Sequence, residues 1–397
     1  MKILIISHMY PSNARKVNGV FVHEQVKELI NQGHEVRVVS PVPFVPPFFK
    51  FLSSKWKAYS DYLVEDKFEG IRVYYPGYLA IPKNINFHTS GTRMYLGIKN
   101  IIKKIYKDFK FDILHAHVAL PDGYAAMKIS EDYNVPFITT IHGMDLQHTI
   151  FRDSKCKNNI KKVLSQSQKN ILVSSKLNKI RKENFPNIDN KKFVVINNGV
   201  SKLFLNKDKT IRITTNKNIR ILSVSNLIKT KGIDLNIKAM SAIAKLYPRL
   251  SYQIIGDGPE KDTLESLVRE LKLDNNVFFV GAKSREEVKK YMCEADIFLL
   301  PSWNEAFGVV YIEAMSCGIP VIGCLGEGIE DIVTDGKDGL LVKPKDIDDI
   351  VRKTLYIINN PSKRKEMGIR ARDKVIVNFT WEIVANQISN IYREVCR

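Results

Sequence analysis

The sequence predicts an α/β protein made of two doubly wound parallel-sheet domains. Three observations carry this expectation. Apolar runs of strand length alternate with helix-period segments from end to end. The alternation restarts after a polar, lysine-rich stretch at residues 206–218, and a chain of 397 residues exceeds what one hydrophobic core usually serves.

In the first half the expected strands are Lys2 to Ser7, Glu35 to Ser40, Ile71 to Tyr75, Asp112 to His117, Pro136 to His142, Asn170 to Ser174 and Phe193 to Asn197. Helices separate them: Val20 to Gln32, closed by Gly33, then Arg93 to Phe109, Gly123 to Tyr133 and Leu177 to Phe185. The second half repeats the scheme with strands Ile219 to Val224, Gln253 to Gly256, Val277 to Gly281, Ile297 to Leu300, Val321 to Cys324 and Leu340 to Val342. Ile233 to Leu246 reads as a helix, and Ser284-Arg285-Glu286-Glu287 has capping-box spacing ahead of another from Val288 to Ala295. Asp346-Ile347-Asp348 resembles a metal-holding D-x-D element, but it opens a helix reaching Leu355, where aspartates cap the N-terminus for ordinary reasons. The expected domains are residues 1–205 and 206–375, with 376–397 supplying a last helix, Trp381 to Val395, that folds back over the first domain.

Composition narrows the function classes. A hydrophobic fraction of 44% without polar low-complexity tracts excludes a largely disordered chain. Sixty-one Lys and Arg against 42 Asp and Glu give a formal charge of +19, which favours an anionic partner: nucleotide phosphates, a lipid headgroup surface or nucleic acid. Five widely spaced cysteines show no C-x-x-C or zinc pattern, which implies a reducing interior. Met1 to Ser7 is too short for a signal peptide, and no segment approaches the ~20 apolar residues of a membrane span. A cytoplasmic protein, soluble or peripheral on a membrane, is expected.

Parallel sheets gather ligands beyond the carboxyl ends of their strands, so polar residues there carry weight. In the first half these are Ser7-His8 to Gly19, His117 to Asp122, His142 to Asp145 and Asn197-Asn198-Gly199. In the second half they are Asn226 to Lys231, Gly256-Asp257-Gly258, Glu305 to Gly308 and Gly326 to Glu330. The strongest block is Asn304-Glu305-Ala306-Phe307-Gly308 followed by an apolar helix with Glu313. A strand feeding a glycine turn into a helix aims free N–H groups at one spot, where a phosphate would sit. Lys231, before Gly232 and a helix, is suited to neutralising a diphosphate. No P-loop and no Gly-x-Gly-x-x-Gly opens either half, which weakens NTPase and dehydrogenase readings.

Glu305 to Gly308 with Glu313-Ala314-Met315-Ser316-Cys317-Gly318-Ile319-Pro320 resembles the E-x7-E signature of retaining GT-B glycosyltransferases of family 4. Pro11 to Gly19, His115-Ala116-His117, Thr140-Ile141-His142-Gly143, Asn197 to Val200, Leu227 to Gly232, Ile255 to Pro259 and Asp335 to Leu340 follow in family order across essentially the whole chain. The resemblance implies two Rossmann-like domains with an interdomain cleft, residues 1–205 on the acceptor side and residues 206–375 binding the nucleotide sugar. It also implies transfer of a hexosyl or N-acetylhexosaminyl unit from a nucleotide diphosphate sugar, UDP-sugar first, with retention and without a metal or other cofactor. It assigns Glu305 to the donor sugar's hydroxyls and His117 to the anomeric carbon. The diphosphate falls to Lys231 with the amides of Ala306, Phe307 and Gly308, the ribose to Glu313, and the remaining donor-side positions to Gly19, Gly256, His142 and Asn226. Two departures stand out: Asn226 occupies a position where the family often has Arg, and Gly19 stands where it often doubles the glycine.

Between the second and fourth expected strands, Phe44 to Leu52, Trp56, Tyr59 and Tyr62 precede a basic helix with Lys99, Lys103, Lys104 and Lys107. This mixture suits a membrane interface. It motivates an anionic membrane surface as partner and a saccharide or polyprenyl-linked saccharide as acceptor, as in relatives making cell-surface polysaccharides of the teichuronic-acid type, with no nucleic acid involved. The competing readings are a UDP-sugar 2-epimerase-like or phosphorylase-like GT-B enzyme and a basic nucleic-acid-binding protein, the last supported by charge alone.

Overall fold

The computed structural model describes residues 1–12, 19–44, 64–81, 84–205 and 218–397. Most of the aromatic segment from 44 to 62 and of the polar stretch from 206 to 218 lies outside these residues. The chain divides into two compact units, Met1–Asn197 with Trp381–Arg397, and Asn198–Thr380. These divisions differ from the expected 205/206 and 375/376. One reason is local: the Val200 amide donates to the Phe379 carbonyl at 2.7 Å, tying the two ends of the second unit to each other.

The first unit's strands are β1 (Lys2–Ile6), β2 (Glu35–Val39), β3 (Val42–Pro43), β4 (Glu65–Phe68), β5 (Ile71–Tyr74), β6 (Gly77–Tyr78), β7 (Ile113–His117), β8 (Phe137–Ile141), β9 (Lys169–Leu172) and β10 (Phe193–Val195). Eight form one sheet in the order β10-β9-β8-β7-β1-β2-β5-β4, while β3 and β6 pair separately. All its pairs are parallel except β4 with β5. β1 sits centrally, with Ile3 opposite Val36 on one side and Ile113 on the other.

The second unit holds β11 (Arg220–Val224), β12 (Ser251–Ile255), β13 (Val277–Gly281), β14 (Ile297–Leu299), β15 (Val321–Cys324) and β16 (Gly339–Val342). Their order, β13-β12-β11-β14-β15-β16, is all parallel. Each sheet therefore has a point where successive crossovers change direction, at β1 and β7 in the first and at β11 and β14 in the second. Loops part there and open a crevice beyond the strand ends.

Several elements lay outside the expectation, among them β3, β6, the helix Lys261–Glu270 and the two described next. β4, Glu-Asp-Lys-Phe, buries only Phe68 and runs antiparallel at the sheet edge, where polar sequence is tolerated. The helix Ser154–Gln166 buries Cys156, Ile160, Val163 and Leu164, and the Asp153 carboxylate caps it by accepting from the Cys156 amide at 2.7 Å. The two expected caps are present: Ser284 and Glu287 bond reciprocally, and Asp346 accepts from the Asp349 amide at 2.9 Å. Among the described residues no helix is long and apolar enough to cross a membrane.

The last helix, Trp381–Val395, buries Trp381, Val384, Ala385, Ile388 and Tyr392 in a core shared with Ile3, Ile5, Val22 and Val26. Tyr392 also reaches a polar group under the sheet. Its hydroxyl bonds His115 Nδ1 at 2.6 Å, and His115 Nε2 bonds Thr140 Oγ1 at 2.7 Å, so a fully buried imidazole is satisfied at both nitrogens. Tyr392→Phe orphans one of them, at about 1–3 kcal/mol. The urea midpoint of the variant should fall accordingly; an unchanged midpoint would show that His115 finds another partner.

Candidate active site

In the second unit the segments after β11 and β14 meet. Lys231 closes a short turn before Gly232 and the helix Ile233–Leu246, and Trp303 N donates to Thr230 O at 2.9 Å, joining the two segments. The Lys231 ammonium pairs with Glu305 Oε2 at 2.5 Å, and Ser302 Oγ donates to the same oxygen at 3.2 Å. Both side chains are only partly exposed, 23% and 16%. The Glu305 amide donates to Glu327 Oε2 at 2.6 Å, which fixes the loop beneath the pair.

Gly308 starts the helix Val309–Ser316 with φ 89°. A Cβ there would lie 2.4 Å from the Tyr311 ring, so both backbone and space require glycine. Tyr311 Oη donates to Leu300 O at 2.6 Å, bolting the helix's first turn to the end of the strand segment. The free amides of this helix start therefore open from the same loop that carries Glu305, with Phe307 buried beneath and Ala306 beside Gly328. Glu313 lies one turn further on and pairs with Arg285 Nη2 at 3.1 Å. Gly256 follows β12 so closely packed on Ser225 that a Cβ would meet its carbonyl oxygen at 1.8 Å. Asn226 is exposed in the adjoining turn.

The other expected residues belong to the first unit. His117 ends β7 fully buried, and its Nδ1 bonds His142 Nε2 at 3.0 Å. The His117 ring stacks on His115 at 4.6 Å and on His142 at 5.2 Å. Gly19 precedes the helix Val20–Asn31, whose Phe21 ring lies 4.6 Å from His142. His117 Nε2 and His142 Nδ1 are buried without a partner among the described residues. Burial pushes the pKa of His115 and His142 down to about 3, and burial with the two neighbouring imidazoles holds His117 well below its ordinary value. All three are neutral near pH 7.

Past His117 the backbone is strained. Val118 adopts φ 85°, a region that β-branched residues rarely enter, and the following amides of Ala119 and Leu120 donate to the buried Asp145 carboxylate at 2.9 and 3.1 Å.

The family model for Glycosyltransferase Family 4 matches residues 19–202, and that for Glycosyl transferases group 1 matches residues 206–374. The chain belongs to glycosyltransferase family 4 and has the GT-B fold. This glycosyltransferase is 29% identical to the putative teichuronic acid biosynthesis glycosyltransferase TuaC of Bacillus subtilis over 87% of this chain and 86% of that one. Its fold matches the sucrose-phosphate synthase of Thermosynechococcus elongatus with a TM-score of 0.80 at 21% identity, covering 99% and 98% of the two chains. It also matches Anabaena HepE, solved with UDP and glucose, with a TM-score of 0.73 at 17% identity, covering 99% and 100%.

Sequence reasoning missed two features of the glycosyltransferase. The sequence shows Arg285 only within a capping box, whereas its guanidinium also pairs with Glu313. His8 and Asp122 were read only as rim residues, although their side chains bond each other at 2.9 Å.

The neutral histidines make stability pH-dependent. An imidazole with a depressed folded pKa binds fewer protons folded than unfolded, so its contribution is present above pH 6.5 and is lost as pH falls toward 3. Asp145, which burial pushes up to about 6, works in the opposite direction, as do Asp122 and His8, both raised, but His23 and His34, lowered by burial, add to the trio. The urea midpoint should therefore drop between pH 7 and pH 5. A level or rising midpoint would contradict neutral burial of the trio.

Proposed function

We propose that the enzyme transfers a hexosyl or N-acetylhexosaminyl unit, with retention and without a metal ion, from a nucleotide diphosphate sugar, UDP-sugar first, to a saccharide or lipid-linked saccharide. The observation that carries this reading is the Lys231–Glu305 pair at the strand switch point, beside the helix start at Gly308. Cleaving the bond between C1 and the diphosphate builds positive charge on the sugar and negative charge on the leaving group. Fixed donors at the phosphate are therefore the main catalytic need. In the proposed cycle Lys231 turns from Glu305 to the diphosphate, joined by the amides of Phe307 and Gly308. The released Glu305 carboxylate accepts hydroxyls of the donor sugar, and Glu313, oriented by Arg285, accepts those of the ribose. Asn226 and Gly256 border this donor site, and Ala306 adds backbone to it.

Retention follows if the new C1–O bond forms on the face the diphosphate leaves, with the acceptor's hydroxyl proton passing to a leaving-group oxygen. His117 is assigned to the sugar, next to His142 and the turn at Gly19. A neutral imidazole suits that role, because a cation beside the developing oxocarbenium charge would oppose it.

The name of the TuaC relative supports a role in cell-surface polysaccharide synthesis. Exposed Lys99, Lys103 and Lys107 on the helix Ser90–Asp108 support peripheral attachment to an anionic membrane on the cytoplasmic side. Neither the 2-epimerase-like nor the nucleic-acid reading gains support from the family match.

A hydrolysis screen across UDP-, GDP- and ADP-sugars, read as free nucleotide released, tests the proposal. One donor class should be turned over, and Lys231→Ala or Glu305→Ala should slow it by about 100-fold, the loss of a preorganised electrostatic contact. Wild-type rates in both variants would remove these residues from the mechanism.

A further inference from the structure

In the second unit the helices Arg285–Glu294 and Val309–Ser316 pack against each other. The Arg285–Glu313 pair joins them at one level. At another, Cys293 near the end of the first helix meets Cys317, the residue that closes the second, and the Cys317 thiol donates a hydrogen bond to the Cys293 sulfur.

Both thiols stand on braced backbone. The Cys317 amide donates to Ala314 O at 3.0 Å and the Gly318 amide to Met315 O at 2.9 Å. Gly368 of the helix Pro361–Asn378 backs this turn so closely that a Cβ there would meet the Gly318 carbonyl oxygen at 2.1 Å. The end of the first helix is bolted to β11: Glu294 pairs with Arg220 Nη1 at 2.8 Å, and the Asp296 amide donates to Arg220 O at 2.8 Å. Two sulfurs held in this way stay in contact.

Access separates this pair from the other cysteines. Cys156 and Cys324 are buried and Cys396 is exposed in the other unit, whereas Cys293 and Cys317 touch each other and are both partly exposed. The hydrogen bond from Cys317 lowers the pKa of Cys293, against burial and with help from Lys289 one turn earlier, while Cys317 as the donor is raised. Cys293 therefore ionises first, and the thiolate is the form that attacks a peroxide.

We propose that Cys293 and Cys317 are a redox-sensitive dithiol, converted by a hydroperoxide into a disulfide that staples the two helices and slows donor turnover. The Cys293 thiolate attacks one peroxide oxygen; the S–O bond forms as the O–O bond breaks, and the departing alkoxide takes up a proton to leave as an alcohol, or as water from hydrogen peroxide. The Cys317 sulfur then displaces hydroxide from the sulfenic acid and gives up its own proton, so the second product is water. The two sulfurs lose two electrons and the peroxide gains them. The chain closed by this bond runs from 293 to 317 and includes Glu305, Gly308 and Glu313. Closing two hydrogen-bonded sulfurs to about 2.05 Å draws the helix ends together, and Glu313, one turn before Cys317, moves with them. The effect on turnover rests on the transferase reading above; the bond itself does not. In a reducing compartment the pair stays as thiols until an oxidant appears, which makes it a sensor and not a structural link.

The test treats the full-length, reduced enzyme with hydrogen peroxide at a dose that oxidises the exposed Cys396. Its peptides are then mapped without reductant, and hydrolysis of the nucleotide sugar it turns over fastest is measured. A peptide joining Cys293 to Cys317 should appear, hydrolysis should fall by about tenfold, in keeping with a sub-ångström displacement of a binding group, and dithiothreitol should reverse both. Cys293→Ser should start from the wild-type rate, form no link and keep its rate through the same treatment. Oxidation of Cys396 without a linked pair would overturn the dithiol. A linked pair with undiminished hydrolysis, or an equal loss of rate in Cys293→Ser, would overturn its control of turnover. Mapping reads the bond without turnover, so reduced wild-type enzyme that hydrolyses no nucleotide sugar would overturn the transferase reading and the control of turnover, while the linked peptide still decides the dithiol.

Discussion

The constraint on which everything else depends is parallel strand pairing about a central first strand. A right-handed crossover must return each strand to the same edge direction, so a sheet that grows both ways from β11 must split its loops between β11 and β14. Backbone amides, a helix start and the side chains of both loops then converge without any further device. The same geometry recurs around β1 and β7, which explains why both units collect their unusual polar groups at equivalent places.

Within the second unit that convergence brings unlike charges into a partly desolvated loop. Lys231 and Glu305 satisfy each other, and Ser302 and Glu327 hold the surrounding backbone. A pair of this kind adds little net stability, because desolvation offsets much of its attraction. In the proposed cycle its value lies in being exchangeable: a diphosphate would replace the carboxylate at the ammonium, and sugar hydroxyls would replace the ammonium at the carboxylate. Arg285 and Glu313 repeat the arrangement a turn away. The first unit follows the opposite strategy, burying three imidazoles that stay neutral and an Asp122 carboxyl that raises the pKa of the partly exposed His8.

Much of this was legible in the sequence because the relevant information is local. The strands of the second sheet are short apolar runs bounded by turns, and Glu305, Gly308 and Glu313 lie within a few residues of one another. Helix caps at Ser284 and Asp346 were readable for the same reason. What escaped notice depends on distance along the chain or on weak local pattern. His115 meets Tyr392 from the opposite end of the sequence, and His8 meets Asp122 across a strand switch. The helix Ser154–Gln166 has only four buried positions among polar residues, and β4 is an edge strand whose hydrophobic signal is one phenylalanine. The Lys231–Glu305 contact was not readable either: sequence placed each residue on its loop, but only the sheet order makes the loops neighbours.

The central claim is that one ammonium and a helix start discharge the donor's diphosphate. The most direct measurement is calorimetric: the affinity of the nucleoside diphosphate released in turnover, compared with that of its parent nucleoside, in wild type and in Lys231→Met. The account predicts that wild type strongly prefers the diphosphate, that the preference weakens as salt rises, and that most of it disappears in the variant while nucleoside binding remains. A variant that keeps the full diphosphate preference would contradict the account.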